Sequence, residues 1–508
     1  MTKFSFRSIA LMVGSAGLAA LCFSFASDPK VPAKPNFVFF FADDLTYRAL
    51  HYMGNEQVRT PNLDRLAARG ANFTHSYNMG GWNGAICTAS RSMLVSGMSV
   101  WHVNQHREKW SAGDAAALNT TWPKLLEKAG YDTYMTGKWH VDASASKIFG
   151  RAEHIRAGMP KDTYSSPEAQ AAFAQARAGE LTWAEAMPNG YNRPLSVDDK
   201  SWSPTDSSKG GFWEGGKHWT EVVADDAADF ARQASQSERP FFMYLAFNAA
   251  HDPRQSPQEF IDMYPLKDIK IPKSFQPDYP FHDEIGVGPK LRDEALAPFP
   301  RTELAIKTHL QEYYAIISHL DAQIGKILDD LEAKGLLENT YIFFAADHGL
   351  AVGMHGLLGK QSMYDHSLRT PLLMAGPGVP AGKTVTQDVY YQDIMPTTLE
   401  LAGIAKPGFV EFKSLLPLAK GTQKGKSYEA VYGAYVNLQR MVRQDGFKLI
   451  VYPKANKFLL FDLKKDPEEM NNLADQPGFQ GKKKTLFAEL TRLQKQYDDK
   501  LDLSAMRP

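Results

Sequence analysis

The sequence predicts an α/β protein, with a large, mostly parallel sheet flanked by helices and a smaller C-terminal α+β unit. Three observations carry that expectation. Continuous apolar runs of strand length recur along the chain, as strands covered on both faces require. Stretches of helical period alternate with them. Beyond about residue 402 the alternation gives way to short, closely spaced runs, the pattern of a small antiparallel sheet.

The first run, Pro35 to Ala42, reads Pro-Asn-Phe-Val-Phe-Phe-Phe-Ala and ends in Asp43-Asp44. Thr120 to Ala129 reads as a short helix. Tyr131 to Thr136 is a shorter strand that leads into Gly137-Lys138-Trp139-His140. Between Asp142 and Gly216 periodicity is weak, and this Ala-, Ser-, Gly- and Trp-rich stretch reads as an insertion. Trp183, Trp202 and Trp213 lie in it and Trp219 just beyond, near Gly210-Gly211 and Gly215-Gly216. They serve either ordinary loop packing or a sugar-stacking platform at a cleft mouth.

Pro240 to Phe247 is the third run and leads to His251-Asp252-Pro253-Arg254. The proline-dense stretch from Pro253 to Pro300 reads as a long excursion over the surface. Ile306 to Lys334 predicts a long helix, with Ile316, Ile317, Leu320, Ile324, Ile327, Leu328 and Leu331 near a 3.6-residue period and Gly335 as its stop. Thr340 to Ala346 is the fourth run and ends in Asp347-His348-Gly349. All four predicted strands therefore end in residues able to do chemistry, and ligands of parallel sheets bind at the carboxyl ends of strands. Runs at Ala430–Tyr435, Arg440–Arg443, Phe447–Tyr452 and Phe458–Leu463 predict the C-terminal sheet, and Phe479 to Leu501 a closing amphipathic helix.

Composition bounds the function. Lys3 and Arg7 precede an apolar stretch from Ile9 to about Phe25, and Ser24-Phe25-Ala26 fits a cleavage site. We therefore expect a signal peptide over 1–26, a catalytic α/β domain over 27–405 and a C-terminal subdomain over 406–508, with export to a periplasm or the outside. Gly14, Ser15 and Gly17 interrupt the apolar stretch, and Ala19-Ala20-Leu21 argues against lipidation of Cys22. No long apolar run follows, so no stable membrane span is expected. Lys+Arg and Asp+Glu are equal at 57 each, which gives no basic excess for a nucleic-acid partner. Of two cysteines, Cys22 lies in the leader. Cys87 is then alone in the exported chain, unable to form an internal disulfide, and is free, buried or chemically used.

Cys87 heads Cys87-Thr88-Ala89-Ser90-Arg91. Asp43-Asp44, this run, Gly137 to His140, His251, Asp347-His348-Gly349 and Gly359-Lys360 follow one another along the chain. Leu460-Phe461-Asp462-Leu463, Asp466-Pro467 and Asn471-Asn472-Leu473 close the series. With these residues in this order the chain resembles the type I, formylglycine-dependent sulfatase family of the alkaline phosphatase superfamily, over nearly its whole length. Three-carboxylate chemistry suits hard cations. A sulfate ester is anionic and gains charge on its oxygens during attack at sulfur, so cations must hold those oxygens.

The resemblance implies the following roles. Cys87 is oxidised to Cα-formylglycine by a formylglycine-generating or radical maturation enzyme, and its hydrate is the nucleophile. Asp43, Asp44, Cys87, Asp347 and His348 hold Ca²⁺, with Mg²⁺ as the other choice. Arg91 orients the hydrate, Lys138 and Lys360 bind sulfate, His251 protonates the leaving alcohol, and His140 deprotonates the remaining hydroxyl. His348 stands where asparagine is commoner in the family, and Ala89 where a stricter signature has proline. The substrate expected is a sulfated carbohydrate. Two alternatives stay open: a phosphoester or phosphonate hydrolase of the same superfamily, and a non-catalytic glycan-binding relative.

Overall fold

Asn36–Ala42 becomes the central strand because Phe37 to Phe41 sends large apolar side chains to both faces of a pleat, and both faces are covered. Phe37, Phe39 and Phe41 enter one core with Met93, Leu94 and Trp122. Val38 and Phe40 enter another with Val223, Phe230 and Ile317. Each fully buried side chain of this size contributes about 1.5–3 kcal/mol. The structure is a computed structural model that describes residues 34–156, 163–209, 213–214 and 216–508. Residues 1–33, Gly210, Gly211, Gly215 and the Trp213 side chain lie outside the described residues, and with them the expected leader and Cys22.

The elements that position the site run in this order: β1 (Asn36–Ala42), β2 (Ala71–Phe73), α1 (Ile86–Ser96), β3 (Asp132–Lys138), β4 (Arg151–Arg156), α2 (Trp219–Ala234), β5 (Phe241–Ala246), α3 (Glu303–Ala333), β6 (Thr340–Ala346), β7 (Leu372–Ala375) and β8 (Lys383–Val385). They build an eight-stranded sheet in the order β8-β2-β7-β6-β1-β5-β3-β4. The five strands from β6 to β4 are parallel. Only β7 runs against its neighbours β6 and β2. α1 and the helix Trp122–Lys128 cover one face, and α2 and α3 the other.

The C-terminal strands β9 (Val431–Tyr435), β10 (Gln439–Gln444), β11 (Phe447–Tyr452) and β12 (Lys457–Asp462) form an antiparallel meander, on which α4 (Gln480–Gln496) packs. Its fifth strand is Gly80–Gly81, from just before Cys87. A Cβ on Gly80 (φ +84°) would lie 1.9 Å from the Ala434 carbonyl oxygen, so only glycine allows this approach. Contacts join Lys34–Pro508 into one compact unit. Among the described residues no helix is long and apolar enough to cross a membrane.

Two expectations need correction. The stretch after Asp142 is not featureless. Arg151–Arg156 is a strand, polar because it forms the sheet edge, and Pro167–Ala178 is a helix capped by Ser166. Nor does the proline-dense stretch stay on the surface. Asp293 and Glu294 are buried, and the Glu294 carboxylate accepts the amides of Leu358 and Gly359 at 2.9 and 2.8 Å while pairing with Arg301. A buried carboxylate needs such partners, and here they fix the loop that carries Lys360.

Candidate active site

Register brings the expected residues together. Ala42 pairs with Ala346, so Asp43 and Asp347 leave the sheet side by side. Phe41 pairs with Ala246, and Ala246 with Gly137, so the turns holding His251 and Lys138 start at the same level. Beyond the strands the Asp43 amide donates to Ala249 O (2.9 Å) and the Ala250 amide to Asp43 O (2.6 Å). A register shift at Thr136/Gly137 re-aims Lys138 toward Asp43. Gly137 has φ +91°, and a Cβ there would meet Ala246 O at 1.9 Å.

Cys87 is the second residue of α1, and Arg91 is one turn on. The four-residue spacing therefore puts both on one helix face, at the end where the helix dipole is positive. Ala89 is buried between them, and a Cβ on Gly81 would come within 3.2 Å of it, so the position takes a small side chain.

Cys87 Sγ lies 3.2 Å from His348 Nε2, 3.4 Å from Lys360 Nζ and 4.0 Å from Asp44 Oδ1. Lys360 Nζ donates to both Asp44 oxygens, at 3.0 and 3.1 Å. It is also 3.1 Å from His251 Nε2. Arg91 donates to Asp347 Oδ2 (3.0 Å) and to the Lys138 carbonyl (2.9 Å). Asp44 adopts φ 54°, a region non-glycine residues seldom visit. Tyr313 holds it there, its hydroxyl donating to Asp44 O (2.6 Å) and accepting the Thr46 amide (2.9 Å).

The charges are mutually dependent. Burial makes the Asp44 carboxylate costly, more than Lys360 and His348 relieve, and pushes it up to about 8. Burial opposes charge on Asp43 as well, but Lys138, His251 and Arg91 hold it below the usual carboxylate range. His348 is pushed up to about 10, since Asp347, Cys87 and Asp44 outweigh its burial. Burial, Lys138 and Arg91 push His140 down to about 3, so it is neutral. His140 also has positive φ (55°), and its buried Nδ1 has no hydrogen-bond partner among the described residues.

Ligand atoms of Asp43, Asp44, Cys87 and His348 lie within 4.8 Å of one another. This donor set fits a divalent cation. Asp43 Oδ1 is buried with no hydrogen-bond partner among the described residues, Arg91 standing 3.5 Å away, and His348 Nδ1 is 3.0 Å from the Gly349 carbonyl, which leaves Nε2 facing the cluster. Asp347 stands beside this set, its Oδ1 accepting the amides of Asp44 (3.2 Å) and His348 (3.0 Å).

Sequence reasoning did not single out Asp252, Arg292 or Asp293 as site residues. Asp252 adjoins His251, but Arg292 and Asp293 sit in the irregular stretch with no motif to mark them. Three of the four tryptophans have packing partners among the described residues. Trp219 is buried, Trp202 lies under Arg193 (4.7 Å), and Trp183 packs between Phe173 (5.5 Å) and Lys290 (5.2 Å).

Sheet and site together define a hydrolase of anionic esters on an α/β scaffold. The family model "Sulfatase" matches residues 35–404, and "N-sulphoglucosamine sulphohydrolase, C-terminal" matches 353–496. An arylsulfatase of Clostridium perfringens is 29% identical over 494 residues, covering 92% of this chain and 96% of its own. An N-acetylglucosamine-6-O-sulfatase of Bacteroides thetaiotaomicron is 26% identical over 558 residues, covering 95% and 90%. A solved structure in complex with its substrate D-glucosamine-2-N,6-O-disulfate superposes with a TM-score of 0.69 at 23% identity, over 92% of this chain and 99% of that one. The chain belongs to the sulfatase family, and its activity is sulfuric ester hydrolysis.

Proposed function

We propose that this chain is an exported sulfatase that releases sulfate from carbohydrate esters, using Cα-formylglycine made from Cys87. The observation that carries the reading is one buried cluster. Cys87 Sγ has His348 Nε2 and Lys360 Nζ within 3.4 Å, and Lys360 touches both Asp44 and His251. Asp43, Asp44, Asp347 and His348, with the residue at Cys87, would hold a divalent cation, Ca²⁺ or Mg²⁺, which supplies positive charge to sulfate oxygens.

The chain's own residues account for the remainder. Lys138 and Lys360 are compact cations beside the nucleophile position and suit anionic oxygens. Both are held well in the charged state, Asp43 outweighing burial at Lys138 and Asp44 at Lys360. Arg91, between Asp43 and Asp347, fixes the two carboxylates. His251 donates from Nδ1 to the Asp252 carbonyl (2.7 Å), and burial with Lys360 and Lys138 holds it well below its usual range, so the proton for the leaving alcohol is supplied by the Lys360–His251 pair across Nε2 and Nζ. Neutral His140, with its unpartnered Nδ1, is the base.

The glycan preference is supported by the printed substrates of two relatives, an N-acetylglucosamine 6-O-ester and a glucosamine disulfate. A panel of sulfated oligosaccharides read for released sulfate tests it, with the mass of the Cys87 peptide as a companion measurement. Release from sugars together with an aldehyde mass at Cys87 is expected. An unconverted cysteine in an active enzyme would overturn the formylglycine reading, and activity only on aryl sulfates would overturn the carbohydrate one.

A further inference from the structure

Behind the two candidate proton donors lies a closed ring of ionisable groups. Arg292 is its outermost member, with a side chain 18% exposed. Its guanidinium grips Asp252 with two nitrogens (2.6 and 3.1 Å), reaches Asp293 Oδ1 at 2.7 Å and meets the Tyr191 hydroxyl at 3.1 Å. Asp252 Oδ1 lies 3.2 Å from His251 Nδ1. Asp293 Oδ2 accepts Gln361 Nε2 at 2.7 Å and lies 3.7 Å from Lys360 Nζ. His251 Nε2 and Lys360 Nζ, 3.1 Å apart, close the circuit.

The geometry points to Arg292 as a positioning residue that aligns His251 and Lys360 for leaving-group protonation by bridging Asp252 and Asp293. The argument is one of shape. An imidazole that must give a proton from one nitrogen needs its other nitrogen held, and Asp252 holds it through its carbonyl (2.7 Å) with its carboxylate alongside (3.2 Å). Asp252 and Asp293 are buried like charges that would repel, so something must fix both. Only a planar fork with several donors can bind two carboxylates in fixed directions, and a lysine ammonium cannot reproduce it. Tyr191 links the fork to the insertion, so the donors are set from the cleft wall and not from the sheet alone.

This inference rests on the acid role assigned to His251 and Lys360, and the test separates the two. The readout is the slope of log kcat/KM against leaving-group pKa over a series of aryl sulfates, for the metal-loaded, converted enzyme. Loss of proton donation steepens that slope, because poor leaving groups suffer most. Arg292→Met should slow the poorest leaving group about 10- to 100-fold more than the best, short of the 10²–10⁴ of a lost general acid. KM for the poorest should move less than kcat. Arg292→Lys, which keeps a cation and the fold more securely, should steepen the slope too. Arg292→Met added to His251→Ala should steepen the slope by less than the two single changes combined.

A parallel line for Arg292→Met and Arg292→Lys would overturn the proposal, as would full recovery by lysine, a loss confined to KM, or an additive double variant. If His251→Ala alone leaves the slope unchanged while Arg292→Met steepens it, the acid role of His251 falls. The alignment of both donors by Arg292 falls with it, whereas a steepened slope for His251→Ala beside parallel lines for the Arg292 variants overturns the positioning role alone.

Discussion

The floor of the cleft and its rim are built in opposite ways. The floor is made from the ends of four parallel strands and one helix start, and its Asp43, Asp44, Lys138, Asp347, His348 and Lys360 side chains are all buried and in contact. The outer parts of the insertion and of the proline-dense stretch, here called the rim, have edge strand β4, short helices and exposed apolar side chains such as Leu195 (67%) and Val197 (79%). A floor residue is fixed by several neighbours at once, so its loss leaves buried charge uncompensated. An exposed rim residue is fixed by few, so its loss costs little, unlike the buried Asp293 and Glu294 of the same stretch.

Cys87→Ala is the most severe break expected. It removes the proposed nucleophile and should cost roughly 10⁴-fold or more in kcat, as loss of a catalytic nucleophile does, while unfolding by heat stays close to wild type. Near-normal turnover by the purified variant would collapse the distinction between floor and rim.

Next in size is Asp347→Ala. It frees Arg91 from its 3.0 Å partner and strips a carboxylate from beside the metal-ligand set. Elemental analysis should find the divalent cation lost together with activity, and a metal-free protein that still turns over would be decisive against the proposed set.

His251→Ala sharpens the comparison within the floor. Its expected loss on a sugar sulfate is about 10²–10⁴, with a much smaller loss on nitrophenyl sulfate, whose leaving group needs little help. Equal losses in both assays would make His251 a sulfate-binding residue.

Gly137→Ala tests the backbone under the floor. With φ +91° and a carbonyl 1.9 Å from the new Cβ, it should destabilise by at least about 1–3 kcal/mol and disturb Lys138. Chemical denaturation measures the first effect and KM for nitrophenyl sulfate the second. The smallest effect belongs to the rim. Leu195→Ser should change stability within about 0.5 kcal/mol and leave kcat on nitrophenyl sulfate unaltered. A raised KM confined to one sugar sulfate would place Leu195 in substrate contact.

The central strands were legible in the sequence because two-sided burial leaves an unbroken apolar run. β6 spans the residues of its run, and β1 and β5 begin one residue inside theirs. The long helix α3 was legible through its 3.6-residue stripe. α1 was not, because all eleven of its residues are buried and a helix apolar or small all round has no stripe. β4 was hidden by its polar edge. The helix Pro167–Ala178 carried its signals in Ser166-Pro167 and Gly179, but its Ala-rich body obscured the period.

By itself the sequence determined the chemistry available: which carboxylates, cations, imidazoles and thiol exist, and that strand ends carry them. Local pattern suffices for this, because strand pairing follows burial and strand ends follow from where burial stops. Only the tertiary structure decided which of those groups meet. The 2.9 and 2.8 Å anchoring of the Lys360 loop by Glu294, the pairing of Gly80–Gly81 with β9 at Ala434, and the Arg292 bridge from Asp293 to Asp252 each join segments far apart in the chain. Such contacts carry no periodicity. They depend on distances across the fold, and a buried charge finds its partner there only after the sheet has set the frame.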